Sequence, residues 1–412
     1  MANLRAAFGP GFPRREVLMS KWTAKQTGYM KEALRLARQG WGLVSPNPMV
    51  GAVLVKRGRV LAKNWHSGPG QLHAEAAVLA EAGRKAAGAE LYVNLEPCAH
   101  HGRTGPCVEA IIEAKVAKVF YSVPDPHAVA AGGARLLEDA GVEVDRGLLA
   151  DEAWELNQFF FKWATTGVPF VILKTAASLD GKIATSSGDS RWISSKAARN
   201  FGHHIRAGVD AILIGRNTAC KDDPELSARP WGRRKMHRQP RRVVLDPALK
   251  LPFDLKLFDP ALGGPTTVVC APEAPTAAKE ELRRLGHVVM EAPKLPSGFL
   301  SLSTVVNELG QSGCQSVLIE PGATLASSAL LEEPVVDLVH IFLAPMFLGG
   351  RDAPGLLGGP GLAALNLARA AEILKIGRKG PDVHIMVRPN GAFKPSDDAR
   401  SPWQPEPPAA AQ

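Results

Sequence analysis

The stretch EPCAHHGRTGPC, residues 96–107, follows an apolar run, AELYVNL, that reads as a buried strand. The periodic segment CVEAIIEAK, which reads as a helix, starts at its last residue. Cys98 therefore lies in a loop after a strand, and Cys107 opens a helix nine positions later. A helix N-terminus carries free N–H groups and favours thiolate over thiol. Upstream, HAEAAVLAEAGRKA reads as a second helix with His73 and Glu75 in its first turn. One imidazole and two sulfurs are the donor set of a catalytic zinc, which keeps its remaining position open for water. Such a zinc lowers the pKa of that water toward roughly 7. Residues two apart on a helix point to different sides. Glu75 can then reach the water without binding the metal, and carry its proton to a ring nitrogen and a leaving amine. The order H-x-E…P-C-x-x-C is the pattern of nucleobase deaminases. Here the second Cys comes nine rather than three positions after the first, so AHHGRTG must bulge at the mouth of the site. Taken singly, each residue has a plainer account, as a buried free cysteine or a Glu that complements a helix dipole.

Outward from this core the chain alternates. AKQTGYMKEALRLARQG reads as a helix, MVGAVLVKRGRVLAKNW as a hairpin, KVFYSVPDP as a strand, GGARLLEDAG as a helix and VEVDRGLL as a short strand. Strands interleaved with helices predict a three-layer α/β domain over 23–167, closed by the helix DEAWELNQFFFKWATTG. The alternation restarts at VPFVILKTAASLDG and gives a second α/β domain over 168–390. Residues 1–22 read as an N-terminal extension or an over-long start before Met19, and 391–412 as a disordered Pro/Ala-rich tail.

The chain has 412 residues, 45% of them apolar, with no run long enough to cross a membrane. Five cysteines in this length argue against a disulfide framework and for a reducing, cytoplasmic setting. The net charge of +9 favours anionic ligands. The basic stretch RPWGRRKMHRQPRR, 229–242, lacks interleaved stacking aromatics, so it reads as a solvated loop rather than a nucleic-acid patch.

The motifs SPNPMVGAVLV, HAE and EPCAHHGRTGPC closely resemble the deaminase half of the bifunctional riboflavin-biosynthesis deaminase–reductase family. KTAASLDGKIATSSGDSRWIS, DAILIGRNTACKDDPELSAR and EPGATLAS continue the likeness, which runs from about Tyr29 to Val387. The resemblance implies a cytidine-deaminase-like first domain and a dihydrofolate-reductase-like second domain. It implies zinc-dependent removal of the 2-amino group of a 2,5-diamino-6-ribosylaminopyrimidinone 5′-phosphate. NADPH-dependent reduction of the ribosyl side chain to ribityl would follow. The expected partner is this small pyrimidine ribotide, not nucleic acid or membrane; a homo-oligomer is left open.

Carried over by position, His73, Cys98 and Cys107 bind zinc and Glu75 carries the proton. Asn47 and His66 contact substrate, with a turn role for Asn47 as the alternative. His100 and His101 contact substrate or belong to the loop, and Arg103 holds the phosphate or is simply solvated. NADPH falls at Ala176, Trp192, Thr218 and Asp222, and at Gly322, Ala323, Thr324, Leu325, Ala326, Ser327 and Ser328. The last group opens a helix after the strand SVLIE, where free N–H groups can hold a diphosphate. Substrate falls at Ser190, Arg206, Leu226, Arg229 and Glu320. The two guanidiniums suit a 5′-phosphate or, alternatively, surface salt bridges. Lys174 sits in an apolar strand and points into the cleft to polarise a carbonyl, or else pairs with Asp180. Trp192 is a cofactor wall or a core residue. Leu72 before HAE, the shortened DPHAVAAGG, Pro247 and the EPG sequence depart from the family pattern.

Overall fold

A computed structural model describes residues 21–100, 105–127, 131–229 and 238–394. The N-terminal extension up to residue 20, His101, Arg103, the segment 230–237 and the tail from 395 onward lie outside the described residues.

The first domain begins with α1 (Ala24–Ala37). Thr23 caps it: Gln26 N–H donates to Thr23 Oγ1 at 3.2 Å, and Thr23 N–H donates to Gln26 Oε1 at 2.8 Å. Next come β1 (Gly51–Lys56), β2 (Arg59–Trp65), α2 (Ala74–Ala82), β3 (Glu90–Leu95), α3 (Cys107–Glu113), β4 (Lys118–Val123), α4 (Gly133–Asp139), β5 (Glu143–Arg146) and α5 (Ala150–Thr166). The five-stranded sheet runs β2-β1-β3-β4-β5. β1 is antiparallel to its neighbours, whereas β3, β4 and β5 are parallel. β3 and β4 are buried almost end to end, as parallel strands covered by helices on both faces must be. α1 and α5 pack on one side; α2, α3 and α4 adjoin one another.

α5 ends at Thr166, where Gly167 takes a left-handed φ of 72°. The second domain follows: β6 (Phe170–Ser178), α6 (Lys196–Gly208), β7 (Ala211–Gly215), α7 (Arg216–Asp222), β8 (Arg241–Leu245), β9 (Thr266–Cys270), α8 (Thr276–Arg284), β10 (Val288–Glu291), α9 (Leu302–Gln311), β11 (Ser316–Ile319), α10 (Ala323–Ser327), β12 (Leu338–Ala344), β13 (Ala371–Lys379) and β14 (Asp382–Pro389). Its nine strands run β10-β9-β8-β7-β11-β6-β12-β14-β13. All pairings from β10 to β12 are parallel; the terminal hairpin is antiparallel. That hairpin was not read from the sequence. Most of β13 is exposed, so it lacks an alternating apolar face. Gly380, with φ 64° ahead of Pro381, is the turn signal that marks it.

The segment expected as tail is folded up to 394. Phe393 N–H donates to Asp337 at 3.1 Å, and the Phe393 ring stacks 5.5 Å from Trp154 of α5. The described part of the basic stretch is also tied down. Arg238 pairs with Asp210, Arg241 donates to Ser312, and the buried Arg242 donates to Thr266 and Gly263. Among the described residues, no helix is long and apolar enough to cross a membrane.

The two domains share a dense seam. Phe160 and Phe161 of α5 belong to the first core, while Phe159 packs 5.1 Å from Phe170 of β6. Lys162 Nζ reaches Asp337 at 2.6 Å. Trp41 stacks on His204 and donates its indole N–H to the His204 carbonyl at 2.9 Å. A Cβ on Gly208 would lie 2.0 Å from the Trp41 ring. Gly208→Ala is therefore expected to overpack the seam at a cost of about 1–3 kcal/mol, read as a lowered Tm in thermal denaturation.

Candidate active sites

His73 is not inside α2. It is the residue that precedes the helix, in extended conformation at φ −65°, ψ 156°. The chain turns there, so the imidazole leaves the helix end while Glu75 sits in the first turn. This backbone break lets residues two apart in sequence serve one centre. Cys98 follows β3, and Cys107 is the first residue of α3 after Pro106. His73 Nδ1 lies 3.3 Å from Cys107 Sγ and 3.5 Å from Cys98 Sγ. Cys107 N–H donates to Cys98 Sγ at 3.4 Å. The three ligand atoms fall within 4.8 Å of one another. With metal–ligand bonds of about 2.0–2.3 Å, donors around a tetrahedral ion stand about 3.6 Å apart. The donor set and its spacing fit zinc, and among the described residues this is the cluster of its kind.

The two thiols split, and the Cys98 sulfur together with burial pushes the Cys107 thiol up, against the expectation from its place at a helix start. Hydrogen bonds from Cys107 and His73 hold the Cys98 thiol well below its ordinary range. Burial, reinforced by the Cys98 sulfur, pushes the Glu75 carboxyl up to about 7. An adjacent divalent cation favours the carboxylate, so Glu75 stands ready to accept a proton near neutrality.

His66 is buried, and both ring nitrogens are engaged. Nδ1 lies 3.1 Å from the Leu72 carbonyl, and Nε2 lies 2.9 Å from Asn47 Nδ2. A nitrogen facing a carbonyl must carry the proton, so Nε2 accepts from the Asn47 amide. Burial lowers the pKa of His66, which agrees with a neutral ring. His66 thus orients Asn47, and its own nitrogens are already used. Leu72, where the family pattern has Pro, supplies a backbone carbonyl that any residue could supply. His100 Nδ1 is buried with no partner among the described residues.

The second site is a cleft of about 1290 Å³ beyond the carboxyl ends of β6, β7 and β11, where parallel α/β sheets bind ligands. Lys174, Ala176, Ser190, Trp192, Arg206, Thr218, Asp222, Leu226, Arg229, Glu320, Gly322, Ala323, Thr324, Leu325 and Ser328 all line it. Ala326 and Ser327 do not. Ala326 is buried in the core, and the Ser327 hydroxyl donates to the Gly358 carbonyl at 2.6 Å. α10 is one short turn, so its inner face points away from the cleft.

Trp192 is 68% exposed, with the Arg199 guanidinium 4.4 Å from its ring, which excludes a core role. Asp180 accepts the N–H groups of Leu348 and Gly349, and Lys174 has no ion pair among the described residues. Burial lowers the Lys174 pKa, and Glu320 opposes that shift. Arg206 grips Glu320 with two bonds of 2.8 and 2.6 Å and donates a third to the Ser227 carbonyl at 3.1 Å. Burial works against the Glu320 charge, but Arg206 holds its carboxyl down at about 2. Arg229 pairs with Glu225 at 3.0 Å near the surface. Pro247 and Pro321, both departures from the family pattern, also line the cleft.

Sequence reasoning missed His203. It lines the cleft three residues before Arg206, on the same helical face. Burial and the Arg206 charge push it down to about 4, so it is neutral near pH 7. That i,i+3 spacing was the available signal.

The loop that holds Cys98 depends on a close approach. A Cβ on Gly133, at the start of α4, would lie 1.8 Å from the Pro97 carbonyl oxygen. Gly133→Ala is expected to displace Pro97 and Cys98 and to reduce zinc per chain in elemental analysis.

Comparison with known proteins places both halves. Residues 23–123 match the model for the cytidine and deoxycytidylate deaminase zinc-binding region, and residues 169–385 match the RibD C-terminal domain. The chain is 38% identical over 371 residues to riboflavin biosynthesis protein RibD of Bacillus amyloliquefaciens, covering 90% of this chain and 98% of the relative. It is 40% identical over 367 residues to RibD of Escherichia coli (strain K12), covering 86% and 97%. Among solved structures, Acinetobacter baumannii RibD superposes with a TM-score of 0.79 at 36% identity, covering 89% of this chain and 99% of that one. The deaminase/reductase of Thermotoga maritima gives 0.76 at 32%, with the same coverage. The chain belongs to the RibD family, the bifunctional deaminase–reductases of riboflavin biosynthesis.

Proposed function

We propose that the two sites perform consecutive steps on one pyrimidine ribotide. The first domain hydrolyses the 2-amino group of 2,5-diamino-6-ribosylamino-4(3H)-pyrimidinone 5′-phosphate and releases ammonia. The second uses NADPH to reduce the ribosyl side chain to ribityl. The observation that carries this reading is the His73–Cys98–Cys107 triangle, with both sulfurs buried and the buried Glu75 carboxyl beside Cys107. Substrate and cofactor are both soluble and phosphorylated, which supports a cytoplasmic enzyme.

His73, Cys98 and Cys107 would hold zinc, which would act there as a Lewis acid that acidifies water. Glu75 takes a proton from the attacking water at a carboxylate oxygen and returns it to the ring nitrogen beside the reacting carbon. The second water proton follows the same route to the leaving amine. The water oxygen stays as the new ring carbonyl, and the C–N bond breaks with loss of ammonia. Asn47, aimed by His66, holds the pyrimidine edge.

NADPH bound in the second site would supply the hydride. Thr218, Asp222 and the helix start at Gly322–Leu325 form the cofactor side of the cleft, which Trp192 also lines. Lys174, desolvated and close to Glu320, presents an N–H donor to the sugar oxygen. Three of the five Arg206 N–H groups are committed to Glu320 and Ser227. Arg229 is the freer cation for the 5′-phosphate, because its pair with Glu225 is solvent-exposed and such pairs contribute little.

Glu75→Gln is expected to retain zinc and NADPH oxidation while deamination falls about 10²–10⁴-fold. Metal analysis and an ultraviolet assay on the diaminopyrimidine ribotide check this. Lost zinc would mean that Glu75 is structural.

The pH dependence of the reductase fold follows from Glu320. Its carboxyl stands at about 2 in the folded chain against an ordinary 4.5. A depressed folded pKa contributes stability that is complete above the unfolded value and lost as pH falls through the folded one. Acid unfolding of the protein should therefore contain a component between about pH 4.5 and 2. Glu320→Gln is expected to shrink that component, leaving the part owed to Glu32 and Asp180, which are also held down at about 2, as read by tryptophan fluorescence against pH.

A further inference from the structure

The loop that carries Asn47 is held from both domains. On its own side, Met49 N–H donates to Asn157 Oδ1 at 2.8 Å, and the Met49 carbonyl accepts from Asn157 and Asn94 at 2.9 Å each. On the other side the partners belong to the reductase domain. Ser45 Oγ donates to Asp210 Oδ1 at 2.9 Å, and Gln315 Nε2 donates to the Pro46 carbonyl at 2.7 Å. Asp210 and Gln315 are both 3% exposed.

These two residues are themselves fixed. Asp210 Oδ2 accepts the N–H groups of Gln315 at 2.6 Å and Ser316 at 3.1 Å, and Arg238 pairs with Oδ1. Asp210 N–H donates to Ser316 Oγ at 3.0 Å. Asp210 immediately precedes β7, and Gln315 immediately precedes β11, both central strands of the reductase sheet. A rigid pair of strand ends thus grips residues 45 and 46, and the next side chain along is Asn47.

From Asn47 the contacts continue into the zinc site. Asn47 bonds His66, and His66 bonds the Leu72 carbonyl, one residue before the ligand His73. Every link is an ordinary hydrogen bond, and each has one buried partner, Asp210, Gln315 or His66, for which losing the bond is expensive.

We propose that Gln315 and Asp210 of the reductase domain are positioning residues for the deaminase site, acting through Ser45 and Pro46 on the placement of Asn47. This rests on the reading of Asn47 as a substrate contact. Deamination then depends on the neighbouring domain through fixed geometry, with no residue of that domain touching the pyrimidine at the zinc site.

The test uses the full-length zinc enzyme. Gln315→Met keeps the side-chain length and removes the donor; Ser45→Ala removes the other bond at a half-buried position that tolerates Ala. Each is expected to raise the deamination KM about tenfold while kcat falls less. Zinc per chain and NADPH oxidation, assayed on the deaminated ribotide, stay unchanged. Asn47→Ala should raise the KM at least as much, and Gln315→Met should add nothing in the Asn47→Ala background. A changed KM in Asn47→Ala with a normal KM in both Gln315→Met and Ser45→Ala overturns the positioning role alone. An unchanged KM in Asn47→Ala overturns the substrate-contact reading and the proposal with it. Parallel loss of both activities in Ser45→Ala also overturns it, because that pattern marks a general structural role. If Gln315→Met does not fold, Ser45→Ala decides.

Discussion

Two sulfurs and an imidazole crowded together out of water are an unfavourable arrangement for a protein alone. They become favourable when a cation lies between them, and the first domain is built around that condition. The start of α2 turns His73 away from its own helix, the start of α3 delivers Cys107, and the loop after β3 brings Cys98 between them. The parallel strands behind are buried on both faces and give that loop a rigid origin. The open side of the triangle meets Glu75, whose burial keeps its proton affinity near the working pH.

The second site solves a different problem. It must hold two phosphorylated molecules, and it does so with charges that are partly cancelled in advance. Arg206 and Glu320 neutralise one another in a two-pronged pair at the cleft wall. Lys174 stands nearby without a partner among the described ion pairs, desolvated enough to give up a proton more readily than a surface lysine. His203 stays neutral between two guanidiniums and so adds a polar contact without adding to their repulsion. Arg229, by contrast, sits in a solvent-exposed pair with Glu225, and Arg191, Arg199 and Lys221 line the cleft beside it.

The zinc centre was legible in the sequence because each ligand sits at the edge of a regular element, where pattern and punctuation are strongest. What the sequence hid was the backbone break at His73, which periodicity reads as one more helical residue. In the reductase half the resemblance named most of the cleft, but carried Ala326 and Ser327 along with their neighbours. The turn of α10 points those two elsewhere, and a motif has no direction. The β13–β14 hairpin escaped because an edge strand wet on most of its length has no face to alternate. The role of His66 escaped for another reason: that a buried ring has spent both nitrogens is a fact about its neighbours, Asn47 and Leu72, which no spacing rule encodes. The domain seam was invisible on the same ground, since Trp41 and Gly208 meet only in three dimensions.

Phe393, near the far end of the described chain, comes back to lie on Trp154 in the last helix of the opening domain. The polypeptide is therefore stitched rather than strung: its closing segment seals a surface laid down more than two hundred residues earlier. Severing the chain at Gly167 would leave neither half finished, because the leading piece would carry a bare aromatic strip along α5. A first domain separated at that point would stay closed only if another surface covered the strip or polar side chains replaced it.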